Sequence, residues 1–383
     1  MYDNKLAGSF QANSMQQFKV GHATAEQWEI AAKECLEQLG QVAGANLGFL
    51  YLTDLFLKDL IDIVAFFKET TGIQDWVGTT GIGICSSGIE YFDKPAMAVM
   101  VAQFPPQSFK VFSASDKELV SLLDEDWYDD QQPMFAVVHG DPRNIRIIEM
   151  IQRLSEQLNE CFLVGGLTSS RDNYLQIANK ITEGGLSGVL FSKEVQVVTQ
   201  LSQGCTAIGP RHQITDCSHN IIIRLDNLPA LDVFNQDIGE ELASDLGKVG
   251  GYIFAALPVA GSDLGDYLVR TLIGIDPQHK LLAIGDNVQP GMSILFTRRD
   301  IESASEDLVR MLNHLRSRIH KPPKGGIYYS CLGRGKNLFG NDSQELKIIQ
   351  NTLGDFPLVG FFANGEIYHQ RLYGYTGILT LFL

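Results

Sequence analysis

The 383-residue chain has no surplus of positive charge: 30 Lys and Arg face 45 Asp and Glu, a net charge of −15. Nucleic acid and anionic membranes are both held by cationic faces, so neither is expected as a partner. Long apolar runs are missing too. Stretches such as Ala96–Ala102 have the length of a buried strand and fall short of the roughly 18 residues that mark a spanning helix. The opening MYDNKLAGSFQANSM shows no basic stretch ahead of an apolar run, so no secretory signal is expected. The cysteines Cys35, Cys85, Cys161, Cys205, Cys217 and Cys331 form no C-x-x-C pair, which fits reduced thiols better than a disulfide frame. H-E-x-x-H and D-x-D-x-D-G are absent as well, so no metal and no cofactor are expected. These absences predict a cytoplasmic protein.

What the chain does contain is repetition. The middle copy opens with the apolar run Met134–Val138, followed by Asp141 and Pro142, residue types suited to a helix start. Ile147, Ile148, Ile151, Leu154 and Leu158 then recur at helical spacing. A second apolar run, Cys161–Val164, ends in Gly165-Gly166, and TSSRDNY leads to the strand-like Gly188–Ser192. A later copy runs through Gly326–Ser330, a helical stripe within Gln344–Leu353, Pro357–Gly360, ANGEIYH as the counterpart of TSSRDNY, and Gly377–Leu383. The earliest copy is looser: Gly48–Leu52, the stripe Leu57, Ile61, Val64 and Phe67, Trp76–Gly81, ICSSGIEYF and Pro95–Phe104. Short apolar β runs alternating with helices predict a two-domain, layered α/β protein built from repeated strand-helix-strand-strand units.

Between the copies, the acid-rich Asp116–Asp130 reads as a solvated connector. Gly209-Pro210 breaks the chain before the strand-like Asn220–Leu225, and Pro229 opens a helix carrying Leu231, Phe234, Ile238, Leu242 and Leu246. The division is placed near residue 212, giving domains 1–212 and 213–383.

Several motifs bear on chemistry. Gly78-Thr-Thr-Gly81-Ile-Gly83 lacks the lysine and hydroxyl of a P-loop and reads as a sharp turn. Gly165-Gly166 ends a strand, where glycine admits either a ligand or a close-packed neighbour. Cys331-Leu-Gly333-Arg334-Gly335 follows a strand, at the sheet end where open α/β folds bind ligands. Flanking glycines can turn N–H groups toward an anion, and the guanidinium offers parallel donors to a carboxylate. Arg270, Asp286, Arg298 and Arg299 cluster around a two-strand segment, and Arg299 there reads as a surface ion-pairing residue. Cys85 and Cys331 adjoin glycine turns and are the candidates for a cysteine nucleophile, although none of the eight histidines pairs with them by spacing.

TTGIGICSSG, FLVGGLTSS and LSQGCTAIGP resemble the N-terminal half of the FIST sensory domain. LPALDVF, LPVAGSD, LVRTLIGID, IGDNVQPGMSILFTRRD, YSCLGRGKNLFG and DFPLVGFFANGEI resemble its C-terminal half, so the likeness runs from about residue 20 to the end. The resemblance, to a stand-alone prokaryotic member, implies a non-catalytic sensor of small ligands such as amino acids or related carboxylates. It also implies that output passes to a signalling partner protein or a homo-oligomer, since no stretch is left over for an output domain.

A zwitterion needs donors for its carboxylate and an acid for its ammonium. Arg334 with Gly333 and Gly335 suits the first need, with Arg270 nearby in the motif cluster. Glu366 or Asp286 suits the second, and Gly165, Gly166 and Gly360 would make room. A pocket between the halves near Arg334 is expected. Two alternatives stay open: a cysteine-dependent hydrolase or transferase using Cys85 or Cys331, and a scaffold whose acidic segments bind a basic partner.

Overall fold

In the computed structural model, residues 18–115, 127, 132–158, 161–259 and 267–383 are described. The acidic connector Asp116–Asp130 lies outside them apart from Trp127. The apolar runs become strands, and the repeats become three copies of one unit.

Unit one runs β1 (Phe18–Thr24), α1 (Trp28–Leu39), β2 (Leu47–Thr53), α2 (Leu60–Thr71), β3 (Asp75–Gly81), the hairpin β4 (Gly83–Ser86) and β5 (Ile89–Phe92), then β6 (Ala96–Ala102). Unit two has β7 (Phe109–Ala114), β8 (Phe135–Gly140), α3 (Ile147–Gln157), β9 (Phe162–Leu167), the hairpin β10 (Gln176–Ala178) and β11 (Lys180–Thr182), and β12 (Leu186–Phe191). Unit three begins with β13 (Val197–Ser202) and is then interrupted. The interruption holds β14 (Thr206–Ala207), β15 (His212–Ser218), β16 (Ile221–Leu225), β17 (Leu228–Pro229), α4 (Ala230–Ala243), β18 (Ile253–Pro258), β19 (Tyr267–Asp276), β20 (Leu281–Ile284) and β21 (Ser293–Arg298). Unit three resumes with α5 (Ile301–Arg318), β22 (Gly325–Cys331), α6 (Gln344–Leu353), β23 (Leu358–Ala363), the hairpin β24 (Glu366–Tyr368) and β25 (Arg371–Tyr373), and β26 (Gly377–Phe382).

The three sheets share one order. Sheet I is β1-β6-β2-β3-β10-β11, sheet II is β7-β12-β8-β9-β24-β25, and sheet III is β13-β26-β22-β23-β4-β5. Each therefore ends in a hairpin supplied by a different unit: unit two completes sheet I, unit three completes sheet II, and unit one completes sheet III. The inserted strands close into a barrel, β21-β15-β16-β20-β19-β18 returning to β21.

The strand pairs β2/β3, β8/β9 and β22/β23 are parallel, with Gly78 opposite Leu50, Gly165 opposite Val138 and Gly360 opposite Tyr328. At all three glycines a Cβ would collide with the carbonyl oxygen of that opposite residue. This shared packing demand is the physical basis of the repeated VG motif. One residue further along the first strands, Tyr51, His139 and Tyr329 meet where the sheets converge. The Tyr51 hydroxyl lies 3.2 Å from His139 Nε2 and 3.0 Å from the Tyr329 hydroxyl. Around them the inner faces bury one shared apolar core, while α1 and α2 cover sheet I, α3 covers sheet II, and α5 and α6 cover sheet III. The layered α/β reading holds.

Local details differ from expectation. Asp141 does not begin a helix; it accepts from the Arg143 and Gly184 N–H groups in a turn, and α3 starts at Ile147. α4 kinks at Gly239 (φ 80°) and ends at Ala243, so Leu246 falls in a separate short 3₁₀ turn. The structural counterpart of the Glu366–Tyr368 strand is Gln176–Ala178 and not TSSRDNY, because these two strands pair with equivalent positions of β9 and β3.

Candidate functional site

The carboxyl end of β22 leads into Cys331–Gly335, and this corner differs from its two counterparts. In unit one, Asp54 holds Arg171 at 2.8 Å; in unit two, Asp141 holds Arg143 at 2.7 Å, and both arginines are about half exposed. In unit three the charges are inside. Arg334 is fully buried, with Nε donating to Glu345 Oε1 at 2.7 Å. Glu345, at the start of α6, is equally buried and accepts from the Tyr328 and Ser330 hydroxyls and the Gly335 N–H, at 2.6, 3.1 and 2.8 Å. Burying an ion pair demands such dense hydrogen bonding. Arg334 also lies over the Phe339 ring, 5.1 Å from its centroid.

That network is incomplete. Among the described residues, three buried side-chain atoms of this neighbourhood lack a partner, Arg334 Nη1, Arg299 Nε and Glu366 Oε1, while the buried Glu90 carboxyl accepts from the Leu346 and Lys336 N–H groups. An unpaired buried polar group costs about 1–3 kcal/mol, so their gathering in one place marks a place built to be completed.

The loop Gly374–Gly377 ties these groups together. The Arg299 guanidinium sits 5.2 Å from the Tyr375 ring centroid and donates to the Gly333 carbonyl. Arg334 Nη1 and the Tyr375 carbonyl both crowd Gly204, which has φ +67° and whose Cβ would lie 2.5 Å from Nη1. Glu366 Oε2 accepts from the Thr376 N–H and hydroxyl at 3.1 and 2.8 Å. Across this loop stands the barrel: Phe254 packs on Tyr375 at 4.5 Å, and the Thr271 and Tyr375 hydroxyls are 3.0 Å apart.

Burial sets the protonation here. Desolvation raises Glu366 to about 8 despite the Thr376 hydrogen bonds, and raises Glu90 to about 8, helped by the neighbouring Glu345 charge. Burial also pushes the Cys331 thiol up to about 12 and holds Cys85, which has no exposed surface, well above the ordinary thiol range. A thiolate nucleophile is disfavoured at both. No group of three His, Cys, Asp or Glu side chains suited to a metal occurs among the described residues.

The structure thus separates the residues singled out by sequence. Arg334, Gly333, Gly335 and Glu366 come together. Arg334 does not face an open cleft as expected; Glu345 occupies its Nε edge, leaving Nη1 unmet. Arg270 and Asp286 pair with each other at 2.7 Å on the barrel. Gly165, Gly166 and Gly360 make room for neighbouring protein: a carbonyl opposes Gly165 and Gly360, and Ala363 Cβ lies 2.6 Å from where a Gly166 Cβ would stand. No sequence motif singles out Glu345 or Glu90, and Arg299 reads from sequence as a surface ion-pairing residue. A glutamate between Ile89 and Tyr91, and another opening an apolar helix, were the available signals.

The FIST N domain profile matches residues 46–228 and the FIST C domain profile residues 230–369. The chain is 28% identical over 337 residues to the uncharacterized protein Rv0628c of Mycobacterium tuberculosis, covering 84% of this chain and 87% of that protein. It is 29% identical over 247 residues to the uncharacterized protein Mb0898c of Mycobacterium bovis, covering 61% of this chain and 64% of that one. No helix among the described residues is long and apolar enough to cross a membrane. With both profiles in order along most of its length, the chain belongs to the FIST family, whose domains are sensory modules of signal transduction.

Proposed function

We propose that the protein is a cytoplasmic receptor for an amino acid or related small carboxylate, held without catalysis between Arg299, Arg334 and Glu366 beneath the Gly374–Gly377 loop. The observation that carries this reading is the gathering of unpartnered buried atoms at that corner. Two guanidinium edges suit a carboxylate, and the free oxygen of Glu366 suits an ammonium group. Arg334 has no exposed surface, so entry requires the loop or the adjoining barrel to yield. Binding would therefore be coupled to a shift between the triplicated body and the barrel, a movement that a signalling partner can read.

Thermal-shift screening against amino acids and small carboxylates tests this, because a ligand selective for the folded state raises Tm. A hit is expected with wild type and is expected to vanish in Arg299→Gln, which removes an unmet donor and leaves the Arg334–Glu345 pair intact. No shift at millimolar concentrations, or an equal shift in the variant, contradicts the reading.

A further inference from the structure

A second feature lies away from that corner. Where sheets II and III meet, a hollow of about 800 Å³ is floored by Phe135, Phe162, Val195 and Val197. It adjoins another of about 370 Å³, and the two share Gln196, Arg318 and Leu383 in their walls. Together they form a solvent-open groove rather than an enclosed cavity. Phe162 and Tyr368 pack edge to face at 5.0 Å along the floor.

The rim carries several basic side chains together with Leu383, whose main-chain oxygen accepts from Lys324 Nζ at 2.6 Å. Lys193, His314 and Arg318 border the larger hollow, and His320, Lys321 and Lys324 the smaller. No Asp or Glu lines either, in a chain with 15 more acids than bases. Lys193, Arg318 and Lys321 have no ion-pair partner among the described residues. Cations at the end of α5 complement the helix dipole. That accounts for charge at Arg318, but not for three unpaired cations around an apolar floor that no Asp or Glu side chain lines.

We propose that this groove binds a single-tailed organic anion, its apolar chain lying on the Phe135–Phe162–Val197 floor and its carboxylate or phosphate head held by Arg318 and Lys321. An inorganic anion would leave the floor wet, and a neutral lipid would leave the cations unmet. The two hollows meet at Gln196 and Arg318, where body and head of such a molecule would join.

Calorimetry of the full chain with dodecanoate, dodecyl phosphate and dodecanol, below their aggregation concentrations, tests the assignment. The two anions are expected to bind at micromolar concentrations, with dodecanol at least tenfold weaker. Arg318→Gln with Lys321→Gln should weaken the anions at least tenfold, and Gln196→Trp, which fills the waist, should abolish binding. These are exposed positions, so circular dichroism and Tm should match wild type. Equal affinity for dodecanol, unchanged binding in the variants, or no binding would each overturn the proposal. So would association with phosphatidylglycerol vesicles without binding of the free anions, since that result assigns the face to a lipid surface.

Discussion

At the scale of single residues, the unusual feature is carboxyl groups kept where their charge is costly. Glu366 is held up to about 8 chiefly by burial, so it is protonated near neutral pH. Its folded value lies above the unfolded value of about 4.3. The stability tied to its proton is therefore complete below that unfolded value and is lost as pH climbs through 8. The same ionisation governs an amino acid ligand, whose ammonium needs the anion. Affinity for such a ligand should rise about tenfold between pH 6 and 7, whereas a simple carboxylate should show no such rise. Glu366→Gln should abolish the slope, as titration calorimetry at several pH values would reveal. Arg334 was legible in sequence as an arginine between glycines after a strand; its burial was not, because Glu345 lies eleven residues on. Arg299 was misread as a surface residue because its partners, the Gly333 carbonyl and the Tyr375 ring, come from the far end of the chain.

Among the elements, the parallel strand pair with its glycine is the recurring device. Gly165 leaves no space for a Cβ against the Val138 carbonyl, whereas Gly250 has nothing within 4 Å. Overpacking between paired backbones cannot relax by rotamer change, so Gly165→Ala should cost about 3 kcal/mol or more. Gly250→Ala should stay within about 0.5 kcal/mol of wild type. Urea unfolding of the two variants would check the contrast, and equal losses would show that the repeated glycine is not a packing requirement. Strands and helices of the repeats were readable because alternation and helical spacing are local. The misplaced start of α3 shows the limit: Asp141 and Pro142 are good helix openers, but Asp141 instead fastens Arg143 and Gly184. Tertiary partners there outweigh capping preference.

For the whole molecule, the cyclic exchange of hairpins ties the two FIST halves into one body. β4, early in the chain, pairs onto β23 near its end and carries β5 beside it, and β24 pairs onto β9 in the middle. No sequence pattern reveals such an exchange, because the hairpins look alike and any register that hides their apolar faces satisfies the local code. The unit-three corner differs in packing against the barrel, Phe254 on Tyr375, and burial there converts an ion pair of the kind found at the surface into an enclosed network. Reception of a ligand at that corner is the property on which the proposed function depends. Hydrogen–deuterium exchange of the intact chain, with and without an amino acid or carboxylate found by thermal shift, addresses it most directly. Protection should appear together in residues 331–335 and 374–377 and at the facing barrel strand Tyr267–Asp276. Protection elsewhere, with those three segments unchanged, would contradict it.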